Sequence, residues 1–384
     1  MECFEFHNTK SLVVERGAST TELVERVRAL GCSAAFIVTD AGVLKAGLLE
    51  KTLHRFLAVN LPFALFHEVQ ADPPEDVINT AVEAAREFGA DCIIGFGGGS
   101  SMDVAKLVAL LALGKERLSD IYGVNQVKGG RLPLILVPTT AGTGSEVTPI
   151  SIVTTGVGEK KGVVSPALLP DIAILDAELT LGLPANVTAA TGIDAMVHAI
   201  EAYTSRRLKN PMSDCLAREA LRLLSGSIHQ ACREGGDIQA RENMLLGACM
   251  AGMAFANAPV AGVHALAYPV GARFHVPHGL SNSLVLAPVM RFNLPAAASL
   301  YAELAEILVP AARGTQEQRA DRFVKYLENL AGDLGLETRL RDVGITEQDI
   351  PQLADDAMKQ TRLLVNNPRD ITREDAAALY SEAL

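Results

Sequence analysis

Residues 91–113, DCIIGFGGGSSMDVAKLVALLAL, decide the fold of this chain. The apolar run DCIIGF predicts a buried strand, and SSMDVAKLVALLAL predicts a helix that follows it almost at once. The turn between them, from Gly95 to Ser101, carries four glycines, which let backbone N–H groups approach a pyrophosphate at the N-terminus of the helix. A plain tight turn between strand and helix would have a similar sequence, so this stretch alone leaves both interpretations open.

The same alternation continues on both sides of this unit. Further strands are predicted at 34–39, 62–67, 132–138 and 172–176, and helices at 19–31, capped by Ser19 or Thr20, and at 74–89. Alternating strands and helices predict a parallel sheet that is covered on both faces. Strand-like sequence ends at Pro184, and a chain of 384 residues exceeds the usual size of one core. We therefore predict an α/β domain over residues 1–184 and an all-helical domain over 185–384.

A second polar segment, PTTAGTGSEVT (138–148), follows another predicted strand. It holds four threonines, two glycines and a serine, and open α/β sheets bind their ligands beyond the carboxyl ends of the strands. We therefore expect this segment to form one wall of a cofactor or substrate site. Asp40 ends the strand at 34–39, where its carboxylate can accept hydrogen bonds from the hydroxyls of an adenosine ribose. Because its charge would repel the 2′-phosphate of NADP, we expect NAD to be preferred.

The stretch TGIDAMVHAIEAYTS (191–205) has the pattern of a helix and indicates the chemistry. Asp194 and His198 stand four residues apart, which places their Cβ atoms on one helix face about 5–6 Å apart. Such a pair is often a surface ion pair, but the apolar neighbours indicate a buried helix, where a carboxylate needs a partner or a metal. Together with His264 and His278, one carboxylate and three imidazoles can complete the ligand set of a catalytic metal.

Three residues near these candidate ligands have open roles. Glu201 lies three residues beyond His198 and either supports the ligands or is a solvated helix charge. Tyr268 lies one helical turn beyond His264, so it should face whatever His264 binds. His275 is close in sequence to the ligands, and its role is undecided.

Composition excludes several classes of protein. The net charge of −11 argues against a nucleic-acid-binding surface, which needs clustered basic residues. No segment reaches the roughly 20 apolar residues of a membrane span, and the opening MECFEFHNTK lacks the features of a secretory signal. The six cysteines show no C-x-x-C spacing and indicate free thiols in a reducing compartment. We expect a cytoplasmic protein that binds neither nucleic acid nor membrane.

Together these segments resemble the iron-containing (group III) alcohol dehydrogenases. The resemblance rests on several long motifs in the same order: GFGGGSSMDVAK, PTTAGTGSEVT, LPDIAILD, ATGIDAMVHAIEAY, and HALAYPVG followed by PHG. It extends to the C-terminal segment NNPRDITREDAAALYSEAL. It implies an N-terminal Rossmann-like dinucleotide-binding domain, a C-terminal all-helical metal-binding domain, and a metal in the cleft between them. It further implies hydride transfer between an alcohol and NAD(P) by a homodimer or larger homo-oligomer.

The resemblance also implies roles for individual residues. The metal, Fe²⁺ or Zn²⁺, would be held by four residues of the C-terminal half: Asp194, His198, His264 and His278. The cofactor would be contacted by the glycine turn, the threonine segment and a ribose-binding lysine: Gly97, Gly98, Gly99, Ser100, Thr139, Thr140, Thr143, Ser145, Thr148 and Lys161. Phe255 falls where family members place an aromatic side chain near the nicotinamide.

One position departs from the commoner family pattern. Many members carry a histidine where this chain has Tyr268, and that residue lines the substrate pocket and is implicated in proton relay. Tyrosine there resembles the branch that includes hydroxyacid–oxoacid transhydrogenases, which oxidise 4-hydroxybutyrate.

A second alternative function is that of a lyase resembling dehydroquinate synthase. The phosphate-bearing substrate of such a lyase requires several lysines and arginines, and few lie near the metal motifs. A metal-containing assembly protein without catalysis is disfavoured by the two intact cofactor loops.

Overall fold

The structure, a computed structural model, describes residues 3–156 and 159–384. The chain forms two compact units. The first comprises His7–Leu183, and the second comprises Pro184–Leu384 together with the N-terminal residues as far as Phe6. The functions predicted for the two halves of the chain stay predictions.

The first unit alternates strands with helices. Its strands are β1 (Ser11–Val14), β2 (Ala35–Asp40), β3 (Phe63–Val69), β4 (Cys92–Gly97), β5 (Gly123–Val124), β6 (Leu134–Pro138), β7 (Ile150–Thr155), β8 (Glu159–Val164) and β9 (Ile172–Leu175). Its helices are α1 (Ala18–Thr21), α2 (Leu23–Ala29), α3 (Ala41–Lys45), α4 (Glu50–Ala58), α5 (Glu75–Phe88) and α6 (Gly99–Leu113).

Six of these strands form one parallel sheet in the order β1-β9-β6-β4-β2-β3. Both faces of this sheet are buried. On β2, Phe36 and Val38 contribute to one apolar core with α5 and α6, whereas Ala35 and Ile37 contribute to a second core with α1, α2 and α4. Strands buried on both faces are typical of parallel sheets with helices on either side. The predicted α/β class is therefore confirmed.

The strand order reverses at β2 and β4. From β2 the chain first adds β3 on one side and then β4 on the other side. Ligands of open α/β sheets bind at such a switch point, beyond the carboxyl ends of the strands. Because β2 ends at Asp40 and β4 ends at Gly97, the topology brings two predicted cofactor-binding segments to one edge of the sheet.

Two details of this unit differ from the sequence-based expectation. The cap predicted at Ser19 or Thr20 is wrong, because α1 begins right after Gly17, whose φ of 74° is left-handed. The Ser19 hydroxyl instead donates to Asp176, and that carboxylate also accepts the N–H groups of Gly17 and Ser19. A second sheet, β5-β8-β7, escapes prediction because β5 has two residues and β8, EKKGVV, opens with charged residues.

The second unit contains helices and no strand among its described residues, which confirms the all-helical prediction. The helices are α7 (Ala185–Thr204), α8 (Pro211–Arg233), α9 (Ile238–Asn257), α10 (Gly262–Phe274), α11 (His278–Leu308), α12 (Gln316–Asp333), α13 (Ile350–Ala357), α14 (Thr361–Leu364) and α15 (Arg373–Ala383). Helix α7 packs against α8, α9 and α11, so it runs through the interior of the unit.

Helix α11 is long and apolar enough to cross a membrane by length and composition alone. Its most apolar 18-residue window has a mean hydropathy of 1.3, and the pair α9 and α10, bent by 107°, passes the same test jointly. However, α11 packs against α7, α10 and α12, and the core helices of soluble proteins share these properties. This helix is therefore weak evidence for a membrane span.

Candidate metal centre and cofactor loops

Helix α7 contributes the first two candidate ligands. Sixteen of its 20 residues are buried. Asp194 is 2% exposed and His198 is 4% exposed, and the two lie one helical turn apart. A surface ion pair is thereby excluded. A buried carboxylate must instead be compensated by partners inside the protein.

Helices α10 and α11 bring the other two imidazoles to this pair. The ligand atoms of Asp194, His198, His264 and His278 all lie within 4.8 Å of one another. From Asp194 Oδ1, the Nε2 atoms lie at 3.8 Å for His198, 3.7 Å for His264 and 3.5 Å for His278. Ligands held tetrahedrally about 2.1 Å from a metal are about 3.4 Å apart, so the donor set fits Fe²⁺ or Zn²⁺. The structure thus brings the four predicted ligands together, and their binding of a metal stays a prediction.

Glu201 holds one of these imidazoles in place. Its side chain is 2% exposed, and Oε2 lies 2.6 Å from His264 Nδ1. The same carboxylate accepts the backbone N–H groups of Ala261 and Val263, at 2.9 and 2.7 Å, where α10 begins. A carboxylate on Nδ1 fixes the ring so that Nε2 faces the ligand cluster, the arrangement common around metal-binding histidines. Of the two interpretations of Glu201, the geometry therefore favours support over a solvated charge.

Aromatic rings line the cluster. Phe255 stacks on His198 with ring centroids 4.3 Å apart, and His198 stacks on His264 at 4.7 Å. Tyr268 is half-buried, with its ring centroid 6.3 Å from that of His264 and 5.7 Å from that of His278. Phe255 and Tyr268 therefore border the proposed metal site.

His275 lies outside this cluster. It is exposed, and it ends α10 in the left-handed conformation, with a φ of 55°. The four residues whose ligand atoms converge do not include it. His275 is near the ligands in sequence because it lies in the turn that connects the two ligand-bearing helices, α10 and α11.

In the first unit, the glycine turn packs against the threonine segment. The N–H of Thr139 donates to Gly97 O at 3.0 Å. A Cβ added at Gly99 would lie 2.8 Å from Thr143 Cγ2, so the two loops touch only because residue 99 has no side chain. Helix α6 begins at Gly99, and no described side chain caps its N-terminus. Uncapped N–H groups at the start of a 15-residue helix suit a pyrophosphate.

Asp40 reaches the same turn from β2. Its Oδ1 accepts the N–H groups of Gly42 and Val43, which caps α3, and its Oδ2 accepts the Ser101 hydroxyl at 3.0 Å. The carboxylate therefore lies beside the glycine turn, as a residue that binds the adenosine ribose would. Its contact with the cofactor stays a prediction.

We predict that Asp40→Asn raises the ratio of kcat/KM with NADP to kcat/KM with NAD by at least about tenfold. Asparagine keeps an oxygen for the α3 cap but removes the charge, and two like charges about 4 Å apart repel by about 4 kcal/mol at an effective dielectric of 20. Steady-state kinetics with both cofactors measures the ratio. Asp237→Asn, at the cap of α9, is the control. An unchanged ratio, or a wild type that already prefers NADP, would contradict the assignment.

Lys106, for which the sequence motifs predict no role, joins α6 to the threonine segment. It is fully buried, and Nζ donates to Ser145 Oγ at 2.8 Å, Thr148 Oγ1 at 3.1 Å and Ile150 O at 2.7 Å. Burial lowers the pKa of Lys106, and the nearby carboxylate of Asp103 offsets part of that lowering. The sequence signal for a buried, functional Lys106 is its position as the single charged residue in the apolar run VAKLVALLAL.

Three predicted cofactor contacts have other partners within the protein. The buried hydroxyls of Ser145 and Thr148 bond to Lys106, and Ser145 also donates to Asp103 at 2.6 Å. Lys161 is exposed on β8, with Nζ 5.8 Å from the centroid of the Tyr122 ring. Direct contact of these three residues with a cofactor stays a prediction.

Comparison with known proteins matches both units to one family. Residues 10–177 match the model described as iron-containing alcohol dehydrogenase, and residues 188–384 match the C-terminal model of the Fe-containing alcohol dehydrogenase family. The chain is 40% identical to long-chain-alcohol dehydrogenase 1 of Geobacillus thermodenitrificans, over 94% of this chain and 92% of that protein.

Solved structures agree with this assignment. A crystal structure of 1,3-propanediol oxidoreductase superimposes with a TM-score of 0.96 at 34% identity and covers 100% of both chains. A sulfoacetaldehyde reductase from Bifidobacterium kashiwanohense in complex with NAD⁺ gives a TM-score of 0.88 at 28% identity, covering 100% of this chain and 99% of the other.

Proposed function

This chain belongs to the iron-containing alcohol dehydrogenase family, and we propose that its substrate is a primary alcohol, or the corresponding aldehyde, bearing a second polar group. The general activity is that of the family: a metal-dependent alcohol dehydrogenase or aldehyde reductase that uses NAD(H). The lyase alternative is set aside because the matching models and relatives are dehydrogenases and reductases.

The position of Tyr268 carries the proposal on substrate class. Its ring is half-buried and lies 5.7 Å from the ring of His278, so a hydroxyl-bearing side chain borders the proposed metal site. A phenol with a reference pKa near 10 is a poor proton acceptor at neutral pH, but it can bind a polar group of a substrate. Two structural neighbours are named for substrates with a second polar group, 1,3-propanediol and sulfoacetaldehyde.

Each unit has a proposed task in the reaction. When bound, the metal supplies Lewis-acid activation of the alcohol oxygen, and NAD⁺ accepts the hydride. Asp194 and the three imidazoles would hold the metal, and Glu201 keeps His264 Nε2 directed towards it. The Phe255 ring stacks on the His198 ring and so restricts the orientation of the His198 imidazole. The uncapped N-terminus of α6 would bind the pyrophosphate.

We predict that Tyr268→Phe keeps its metal but lowers kcat/KM several-fold more with 1,3-propanediol than with 1-propanol. These two alcohols differ only in the terminal hydroxyl, and one hydrogen bond between uncharged groups is worth roughly 0.5–1.5 kcal/mol. Kinetics with both alcohols and a metal assay provide the measurement, and Tyr326→Phe on α12 is the control. Equal losses with both alcohols would mean that Tyr268 only packs against the pocket.

The second candidate function is a hydroxyacid–oxoacid transhydrogenase-like reaction, which the same tyrosine favours. Such an enzyme would oxidise 4-hydroxybutyrate and pass the hydride to a 2-oxoacid. Incubating the protein with 4-hydroxybutyrate and 2-oxoglutarate, with only catalytic amounts of NAD, distinguishes the two functions. Formation of 2-hydroxyglutarate would favour the transhydrogenase, whereas NADH production that depends on added NAD⁺ favours the dehydrogenase.

We propose in addition that the protein is cytoplasmic and forms a homodimer or larger homo-oligomer. All six cysteines are free thiols, which supports a reducing compartment. Strand β1 lies at one edge of the parallel sheet, so backbone N–H and C=O groups on its outer side could pair with a strand of a second copy. Light scattering coupled to size exclusion would measure the assembly, and a monomer at micromolar concentration would contradict it.

A further inference from the structure

The carboxamide of Asn282 lies against the ligand atoms of the candidate metal centre. Asn282 is fully buried on α11, one helical turn beyond His278. Its Nδ2 lies 2.6 Å from Asp194 Oδ1, and 3.3 Å from the Nε2 atoms of both His264 and His278. One uncharged side chain therefore borders three of the four proposed ligand atoms.

We propose that Asn282 is a positioning residue of the metal centre, which sets the affinity for the metal by orienting the Asp194 carboxylate. This inference rests on the proposed metal centre. The amide N–H donates to Asp194 Oδ1, and hydrogen bonds to a charged acceptor are about twice as strong as those between neutral groups. Asp194 is the one anionic ligand among the four. Its Oδ1 lies within 3.8 Å of the Nε2 atoms of all three histidines.

The carboxylate needs this partner because α7 alone does not fix its rotation. Helix α7 places the Cα of Asp194, but the last side-chain torsion of an aspartate is broad. The donor comes from α11, the helix that also carries His278, so a single helix both supplies one ligand and orients another. Partners that orient metal ligands typically change metal affinity by 10–100-fold when they are removed.

The environment of Asn282 argues against a role in packing alone. Its Oδ1 is buried and has no hydrogen-bond partner in the described part of the chain, which is a cost to stability. An apolar residue would avoid that cost if packing were the only demand at this position. The amide is therefore explained by the one strong bond it makes, the donation to Asp194.

The test compares Asn282→Ala with Asn282→Val. We expect both variants to bind Zn²⁺ and Co²⁺ about 10–100-fold more weakly than the wild type in a chelator competition, because neither side chain can donate. If the role were packing, valine would recover most of the affinity that alanine loses, and that recovery would overturn the proposal. Asn210→Ala removes another buried asparagine, the cap of α8, and should leave the affinity unchanged.

The visible spectrum of the Co²⁺-loaded protein separates orientation from direct coordination. At saturating Co²⁺, the variants should keep the band intensities of the wild type, because an orienting residue leaves the number of ligands unchanged. A change in intensity that indicates a lost ligand would overturn the positioning role. A wild type that binds no Co²⁺ would reject the metal centre itself, whereas equal affinities in all four proteins would reject only the role of Asn282.

Discussion

His198→Ala is expected to lose bound metal and to retain less than about 1% of wild-type turnover. The substitution removes one of four proposed ligands, and it also removes the ring that stacks between Phe255 and His264. Since loss of a supporting partner already costs 10–100-fold in metal affinity, loss of a ligand should cost more than that. NAD binding should survive, because the glycine turn and the threonine segment belong to the other unit.

Three measurements check this expectation: metal content after gel filtration, NAD binding by calorimetry, and turnover with an alcohol substrate. His229→Ala is a suitable control, since His229 is a half-buried histidine on α8 outside the cluster. Thermal melts show whether His198→Ala still folds, and His198→Gln keeps more of the side-chain volume if it does not. Full metal occupancy with normal turnover would exclude His198 as a ligand.

The sequence predicted those parts of the fold in which the interacting residues lie close together in the chain. The run DCIIGF and the helix after it lie within 23 residues, and the pairing of Asp194 with His198 needs only one turn of helix. Motifs of this kind also carried the resemblance to the family, which is confirmed. The second sheet could not be predicted in this way, since β5 has only two residues and pairs with a distant segment, and β8 opens with charged residues.

The supporting residues of the metal centre and of the cofactor loops were ambiguous for the same physical reason. Glu201 has the sequence context of either a support or a solvated charge, and its partners Ala261, Val263 and His264 lie at least 60 residues away. Lys106 and Asn282 occur in apolar helices, where their partners come from other elements. A sequence pattern reports burial, but it does not report which distant group compensates a buried polar side chain.

Gly279→Ala should weaken metal binding by at least about 100-fold, although no proposed ligand is changed. A Cβ at residue 279 would lie 2.3 Å from Ala190 O and 2.7 Å from Ala190 C, both in the backbone of α7. Because backbone atoms cannot turn aside, α7 and α11 must move apart. Asp194 follows Ala190 by one turn of α7, and His278 precedes Gly279 on α11, so their 3.5 Å separation must widen. Ligands at about 2.0–2.2 Å from a metal do not tolerate that displacement.

Overpacking of this kind typically costs 1–3 kcal/mol, so the melting temperature should also fall by several degrees. Gly226→Ala is the matched control, because Gly226 is exposed within α8 and a Cβ there meets nothing within 4 Å. That control should be neutral or stabilising by up to about 1 kcal/mol. Chelator competition with Zn²⁺ and thermal melts of both variants separate the two effects. If Gly279→Ala melted at a lower temperature but bound Zn²⁺ as tightly as the wild type, the ligand geometry would not depend on the close approach of α7 and α11.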